Sequence, residues 1–338
     1  MDRILTGCKA LDTLTDGGLA TGTITQIFGE KALGKSILSL QAGFATVAGG
    51  NSAIILDTEQ SYFSYLVPYR KDGLEKRYGK GAEVKEFKLE RVPRKHDKRS
   101  RDPLTRSELV TSLSSTLTKL GVAYTENHLS AIADILSPDF HVELDGKDPS
   151  VMVVQMPEIT DLLALHGIDA EKQVSEGGRV DLRLRSTPVY QSALRQIIEQ
   201  TKAKLLVYDS LSAPFKASFP STQDLPARSA GLSMLLSHAQ RLCVEFGIAV
   251  VVTSHASIDP IHAWDRRPYG GVTLGHEAKF SFELTKATSK RNKEAVAVNP
   301  EDEQKENESG RAIWVQRHPA MADYSKFGYA NIDDEGFH

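Results

Sequence analysis

Gly29-Glu30-Lys31-Ala32-Leu33-Gly34-Lys35-Ser36 decides the reading of this chain. It is a G-x-x-x-x-G-K-S loop lying between an apolar run, Ile24 to Phe28, and a helix-like segment, Ile37 to Val47. A strand, a glycine-bearing loop and a helix in that order make a phosphate cradle. Glycines let the backbone wrap, and the loop N–H groups with the helix N-terminus face negative charge. In such a cradle Lys35 reaches the β- and γ-phosphates and the Ser36 hydroxyl binds Mg²⁺. ATP and Mg²⁺ are therefore the expected cofactors, with Gly29 through Ser36 and the adjoining Ile37 as the nucleotide-binding run.

Working outward, strand-like and helix-like segments alternate in two blocks. The first contains Ile24–Phe28, the loop, a helix to about Val47, and the strand Ser52 to Asp57. The second begins near residue 157 with a helix (Glu158 to Leu165), a strand (Val180 to Leu184) and a helix (Val189 to Gln200). The apolar strand Lys204 to Asp209, a long helix (Ala227 to Phe246) and the apolar strand Ile248 to Thr253 follow. Short continuous apolar runs separated by helices indicate an α/β fold whose mostly parallel central sheet is covered on both faces. From Glu277 onward only strands are expected: Phe280 to Thr285, Ala295 to Val298, Ala312 to Gln316 and Phe327 to Ile332. An antiparallel extension of the sheet accounts for them.

The residues between the blocks have a different character. Residues 76–106 hold 12 Lys/Arg against 5 Asp/Glu, concentrated in Arg91 to Arg101, where apolar content nearly vanishes. That stretch reads as a loop, either a DNA-binding arm carried by Arg94, Lys95, Lys98 and Arg99 or a solvated linker. Two amphipathic helices (Arg106 to Leu120, Glu126 to Leu136) and a strand pair (Phe140 to Leu144 with Val151 to Val154) are expected after it. The division is thus a core of residues 1–60 and 157–338, with 61–156 as an insertion: a basic linker over about 76–106 and a small α+β module over about 106–156. The polar run Asn299 to Glu308 reads as a solvated hairpin loop.

The whole-chain numbers set wide bounds. At 338 residues, 40% hydrophobic and 25% charged, the chain suits one large domain or a core with a small module. A net charge of −3 excludes no partner, because nucleic-acid binding needs a basic patch rather than a basic total. Cys8 and Cys243 are too few and too isolated for a disulfide framework or a zinc site. No signal peptide or membrane-length apolar run is read, so a cytoplasmic protein is expected.

An ATP site also needs a second Mg²⁺ carboxylate and a group that activates or orients water. Asp209, closing the apolar run Leu205 to Tyr208, stands where a Walker B aspartate belongs. Glu59 follows the strand that ends at Asp57-Thr58 and would face the same sheet edge as the loop, as base. Ligands of open parallel sheets bind beyond the carboxyl ends of the strands, and these elements converge there. Ser254 and His255 end the next strand, placed either to sense the γ-phosphate or, for His255, to make a local hydrogen bond.

These residues also carry a family resemblance. Ile4-Leu5-Thr6-Gly7, Ala10-Leu11-Asp12, Gly17-Gly18-Leu19 and Thr21 to Glu30 closely resemble the opening of archaeal RadB, a recombinase paralogue of the RecA/RadA superfamily. The likeness continues through Leu56-Asp57-Thr58-Glu59, Leu206 to Leu211 and Ala249 to Ser254. Arg267-Pro268-Tyr269-Gly270-Gly271 looks like the recombinase segment after the second DNA-facing loop. Arg317-His318-Pro319 with Phe327 to Gly336 looks like the RadB C-terminal strand pair. The resemblance covers essentially everything outside residues 61–156.

The resemblance implies a RecA-like P-loop ATPase core that binds and weakly hydrolyses ATP in homologous recombination and DNA repair. It implies Lys35 and Ser36 on phosphates and Mg²⁺, Glu59 as catalytic base and Asp209 on Mg²⁺. Loops beginning near Ala213 and Ala256 would face single-stranded DNA, with Lys216, Arg228, Arg266 and Arg267 as basic contacts and Phe215, Phe219 and Trp264 as stacking groups. The main recombinase or another repair protein is the implied protein partner; an oligomer is left open, and a long filament is not expected. The chain departs from the family at Lys31-Ala32-Leu33, where the loop usually carries a Gly and small residues, and at Ser254-His255, which replaces Asn-Gln. Two other readings compete. One is a non-catalytic ATP-binding adaptor docking repair proteins through the insertion. The other is a KaiC-like signalling ATPase, which shares the Thr-Gly…Leu-Asp opening but not the Arg-Pro-Tyr-Gly-Gly segment or the C-terminal strands.

Overall fold

The computed structural model describes all residues except 1, 88–89, 92–105, 130–139, 142–147, 175–179, 187–191, 259–265, 270–273, 276, 288–295 and 299–309. The basic run around Arg94, Lys95, Lys98 and Arg99, most of the expected helix Glu126 to Leu136, Trp264 and the polar run 299–308 lie outside the described residues.

The expected apolar runs form the centre of the sheet. In chain order the strands are β1 (Ile24–Gly29), β2 (Ser52–Asp57), β3 (Glu83–Phe87), β4 (Ser150–Gln155), β5 (Ile168–Val174) and β6 (Val180–Ser186). They continue with β7 (Ala203–Asp209), β8 (Ala249–Ile258), β9 (Phe280–Lys286), β10 (Val296–Ala297), β11 (Gly310–Arg317) and β12 (Lys326–Asp333). Among the described residues the main sheet is twelve-stranded and runs β10-β12-β11-β9-β1-β8-β7-β2-β4-β3, with two short strands beside this path. From β9 across to β3 every neighbouring pair is parallel, while β9, β11 and β12 are mutually antiparallel along the order. This is the α/β architecture that the sequence indicates, including the antiparallel C-terminal extension.

Strand parity sends alternate residues to two cores. Ile54, Leu56, Leu206, Tyr208, Val250 and Val252 face one side, under the helices α3 (Ile159–Leu165), α4 (Ala193–Thr201) and α5 (Leu225–Phe246). Ala53, Ile55, Leu205, Val207, Ala249 and Val251 face the other, under α1 (Lys35–Ala48), α2 (Val67–Tyr78) and the short helix Lys9–Leu14. Burial on both faces is why these strands read as unbroken apolar runs.

Residues 61–156 behave differently from the expectation. Ser150–Gln155 lies parallel to β2, aligned Ile54 with Met152, and Glu83–Phe87 pairs with it in turn. Phe140–His141 instead pairs with Glu90–Arg91. The expected pairing of Phe140–Leu144 with Val151–Val154 is therefore corrected: Val151 to Val154 are all buried, as in a central strand. Two strands and helix α2 from this segment belong to the core layers. Glu83-Val84-Lys85-Glu86-Phe87 gave no apolar signal because it is the sheet's edge and stays partly exposed. Strand β5, missed in the sequence, forms an antiparallel hairpin with β6.

Candidate nucleotide site

The loop from Gly29 to Ser36 joins β1 to α1 at the carboxyl end of the sheet, and its two glycines are required for different reasons. A side chain at Gly29 would collide with the Leu284 carbonyl of the neighbouring strand. Gly34 has φ +100°, and an added Cβ would lie 2.8 Å from Ile332 and 3.0 Å from Phe337 of the C-terminal hairpin. Leu33 turns inward and is 3% exposed, so the bulky departure from the family loop packs in the core and leaves the cradle clear. Ala32 is the strained position, with φ +62°. Ala32→Gly is expected to stabilise the chain by up to about 1 kcal/mol, because glycine adopts that conformation without steric cost; a rise in Tm on thermal unfolding checks it.

The side chains that converge on the loop surround a cleft of about 750 Å³. Lys35 is almost fully buried, and its Nζ donates to the carbonyls of Gly29 (3.0 Å) and Glu30 (2.7 Å). Burial pushes its ammonium pKa down, opposed by the charges of Asp209, Glu59 and Glu30. Asp209, at the end of β7, is 5% exposed. Its Oδ1 accepts from Thr253 Oγ1 at 2.5 Å and its Oδ2 from the Tyr62 hydroxyl at 2.6 Å. Glu59 sits beyond β2, where its Oε1 accepts from Ser210 Oγ at 2.8 Å and from His255 Nε2 at 3.3 Å. The His255 hydrogen bond, with help from Ser210 and against burial, holds the Glu59 carboxyl down at about 2. Asp57 lies beneath, fully buried, accepting from the N–H groups of Glu59 (3.1 Å) and Tyr62 (3.0 Å); burial raises its pKa.

The structure thus brings Lys31, Ala32, Gly34, Lys35, Ser36, Ile37, Glu59, Asp209 and His255 to one cleft. Ser254 does not join them. It is fully buried and accepts from Gln26 Nε2 at 3.2 Å, because strand alternation turns it away from its neighbour His255. The expectation that Ser254 contacts nucleotide is therefore corrected. Phe215 and Phe219, expected as stacking groups for DNA, are each 1% exposed and pack on one another in the core. Lys216 and Arg267 are exposed, and Arg266 shares the short strand Arg266–Pro268 with Arg267. Arg228 is half-buried, donating to the Tyr269 hydroxyl at 2.6 Å with its guanidinium over the ring.

Several site residues were missed. Thr253 was recoverable, since parallel register places it beside Asp209. Tyr62 carried only its nearness to Glu59. Arg311, whose Nε donates to the Leu33 carbonyl at 3.1 Å, gave no signal, because it comes from β11, 278 positions along the chain. Tyr65, Tyr69 and Arg70 line the outer part of the cleft. The donor set fits a magnesium nucleotide: an ammonium and loop N–H groups for phosphate, and a hydroxyl and a carboxylate for a hard cation.

Comparison with known proteins shows the family. The protein-family model described as Rad51 matches residues 1–83 and 185–314, more than half of the chain. A RadB DNA repair and recombination protein of Methanoculleus marisnigri is 53% identical over 58 residues, 17% of this chain and 26% of that protein. The DNA repair protein rhp51 of Schizosaccharomyces pombe is 25% identical over 294 residues, 84% of this chain and 55% of the relative. Each match spans less than two thirds of the relative's own length. In fold, a crystal structure of the RadB recombinase aligns with a TM-score of 0.50 at 17% identity, covering 99% of this chain and 98% of that one. The family match runs through the phosphate loop, the Glu59 strand end and the Asp209 strand that together build the cleft, and on that basis the chain belongs to the Rad51 family.

Proposed function

We propose that this chain binds Mg-ATP in the cleft, hydrolyses it slowly, and acts in recombination and DNA repair by binding single-stranded DNA or assisting the main recombinase. A cytoplasmic, nucleoid-associated location goes with that role. The observation that carries the reading is the convergence of Lys35, Ser36, Asp209 and Glu59 around one cleft at the carboxyl ends of β1, β7 and β2. Lys35 would bind phosphate oxygens, and Ser36 and Asp209 would hold Mg²⁺. When bound, that ion neutralises charge on the β- and γ-phosphates. Glu59 orients the attacking water. Its carboxyl, held down at about 2 by the His255 hydrogen bond, is ionised for that task. At the mouth, the exposed rings of Tyr65 and Tyr69, 5.2 Å apart, offer a face to the base.

Lys216, Arg228, Arg266 and Arg267 are the proposed DNA contacts on the core, with Arg94, Lys95, Lys98 and Arg99 adding salt-dependent affinity. The engagement of Glu59 by Ser210 and His255 favours a second reading, an adaptor in which bound ATP holds a conformation and hydrolysis is dispensable. Fluorescence anisotropy of a labelled single-stranded oligonucleotide, with and without Mg-ATP, tests the proposal. Binding that tightens with Mg-ATP is expected. Binding indifferent to ATP, with a salt slope lost on deleting residues 91–101, supports the adaptor. No binding at moderate salt removes DNA from the account.

A further inference from the structure

Tyr62 is fully enclosed behind the Asp209 side of the cleft. Its hydroxyl donates to Asp209 Oδ2 at 2.6 Å and lies 3.4 Å from the main-chain carbonyl of Ser36. It therefore touches both elements that carry the proposed cation ligands, the end of β7 and the first turn of α1. The position of Tyr62 is itself set from below. It opens a π-helical turn, Tyr62–Leu66, and its N–H is held by the buried Asp57. The remaining oxygen of Asp209 is taken by Thr253. Two hydroxyls thus hold the Asp209 carboxylate from opposite oxygens, against the pull of the neighbouring Lys35 ammonium.

We infer that Tyr62, together with Thr253, is a positioning residue for the divalent cation: its hydroxyl fixes the Asp209 carboxylate relative to the helix turn bearing Ser36. This inference rests on the Mg-ATP reading. The physical basis is the rigidity that Mg²⁺ demands. It tolerates little departure from octahedral geometry, so a carboxylate free to turn toward Lys35 binds it less well. Groups that orient a metal ligand change metal affinity by about 10–100-fold when removed. Tyr62→Phe keeps the ring and removes the one atom at issue.

The test is a Mg²⁺ titration at a fixed, subsaturating concentration of a fluorescent ATP analogue, on the full chain and its variants, with an EDTA control. In Tyr62→Phe the half-saturating Mg²⁺ concentration is expected to rise about tenfold, while affinity in EDTA stays within about twofold and unfolding stays cooperative at a lower Tm, because a buried carboxylate oxygen loses its donor. Thr253→Val, which removes the other hydroxyl, should move the Mg²⁺ midpoint in the same direction and serves if Tyr62→Phe fails to fold. In an Asp209→Asn background, adding Tyr62→Phe should produce no further shift, because Tyr62 acts through that carboxylate. A wild-type Mg²⁺ midpoint in both hydroxyl variants overturns the inference alone, as does an equal loss of affinity with and without Mg²⁺. A wild-type chain that binds no nucleotide at any Mg²⁺ concentration overturns the Mg-ATP reading and this inference with it.

Discussion

Lys35→Ala is expected to weaken binding of a fluorescent ATP analogue by about 100-fold or more, with little change in Tm. The buried ammonium opposes the charges of Asp209, Glu59 and Glu30, so its removal leaves those carboxylates unopposed where the phosphate would sit. Charge-assisted hydrogen bonds to phosphate contribute about 1.5–3 kcal/mol each, and losing two accounts for the factor. Folding is affected less, because the lost hydrogen bonds to Gly29 and Glu30 are offset by relief of a desolvated charge. Lys35→Arg should recover little, since a planar guanidinium does not fit a point-charge site between two loop carbonyls. A Lys35→Ala chain that binds nucleotide within threefold of wild type would show that the cleft is not the nucleotide site.

The second large effect concerns stability on the opposite face of the sheet. His166 is fully buried between Tyr208, whose hydroxyl is 2.9 Å from Nε2, and His238, whose Nδ1 donates to the His166 carbonyl at 3.0 Å. Burial, with the neighbouring His238 adding to it, pushes the His166 pKa from 6.5 down to about 3. Between those values the unfolded chain binds the proton and the folded chain does not. Stability from this site is therefore fully present above pH 6.5 and is lost as pH falls toward 3, at up to about 1.4 kcal/mol per pH unit. His166→Ala should cost about 2–4 kcal/mol at neutral pH, through a cavity and a stranded Tyr208 hydroxyl. His166→Leu combined with Tyr208→Phe replaces both partners with apolar groups. It should recover most of that loss and flatten the profile between pH 6.5 and 4. Urea unfolding across that range is the measurement, and an unchanged slope in the double variant would refute the assignment.

Local spacing and tertiary contact account for different parts of the site. The convergence of Lys35, Ser36, Glu59 and Asp209 on one cleft was legible because each sits at a fixed offset from an apolar run, and strand-end position in a parallel sheet implies it. Ser254 was misread because the strand was treated as delivering its last two residues to the same side, whereas alternation sends Ser254 inward and His255 to the cleft. Phe215 and Phe219 were misplaced by a loop expectation, since helix Ser212–Ser218 and its C-terminal cap Phe219 place both rings in the core. The resemblance assigned roles but carried no information on Tyr62.

Sequence by itself determined the phosphate loop, the doubly covered parallel sheet and the strand-end carboxylates, because these depend on local spacing and on which residues avoid water. Tertiary structure alone decided that Glu83–Phe87 and Ser150–Gln155 complete the sheet, that Arg311 and the C-terminal hairpin pack against the loop, and that Tyr62 and Thr253 hold Asp209. Those contacts join residues tens to hundreds of positions apart. Their donors are ordinary tyrosines, threonines and arginines whose partners exist only once the strands are in register.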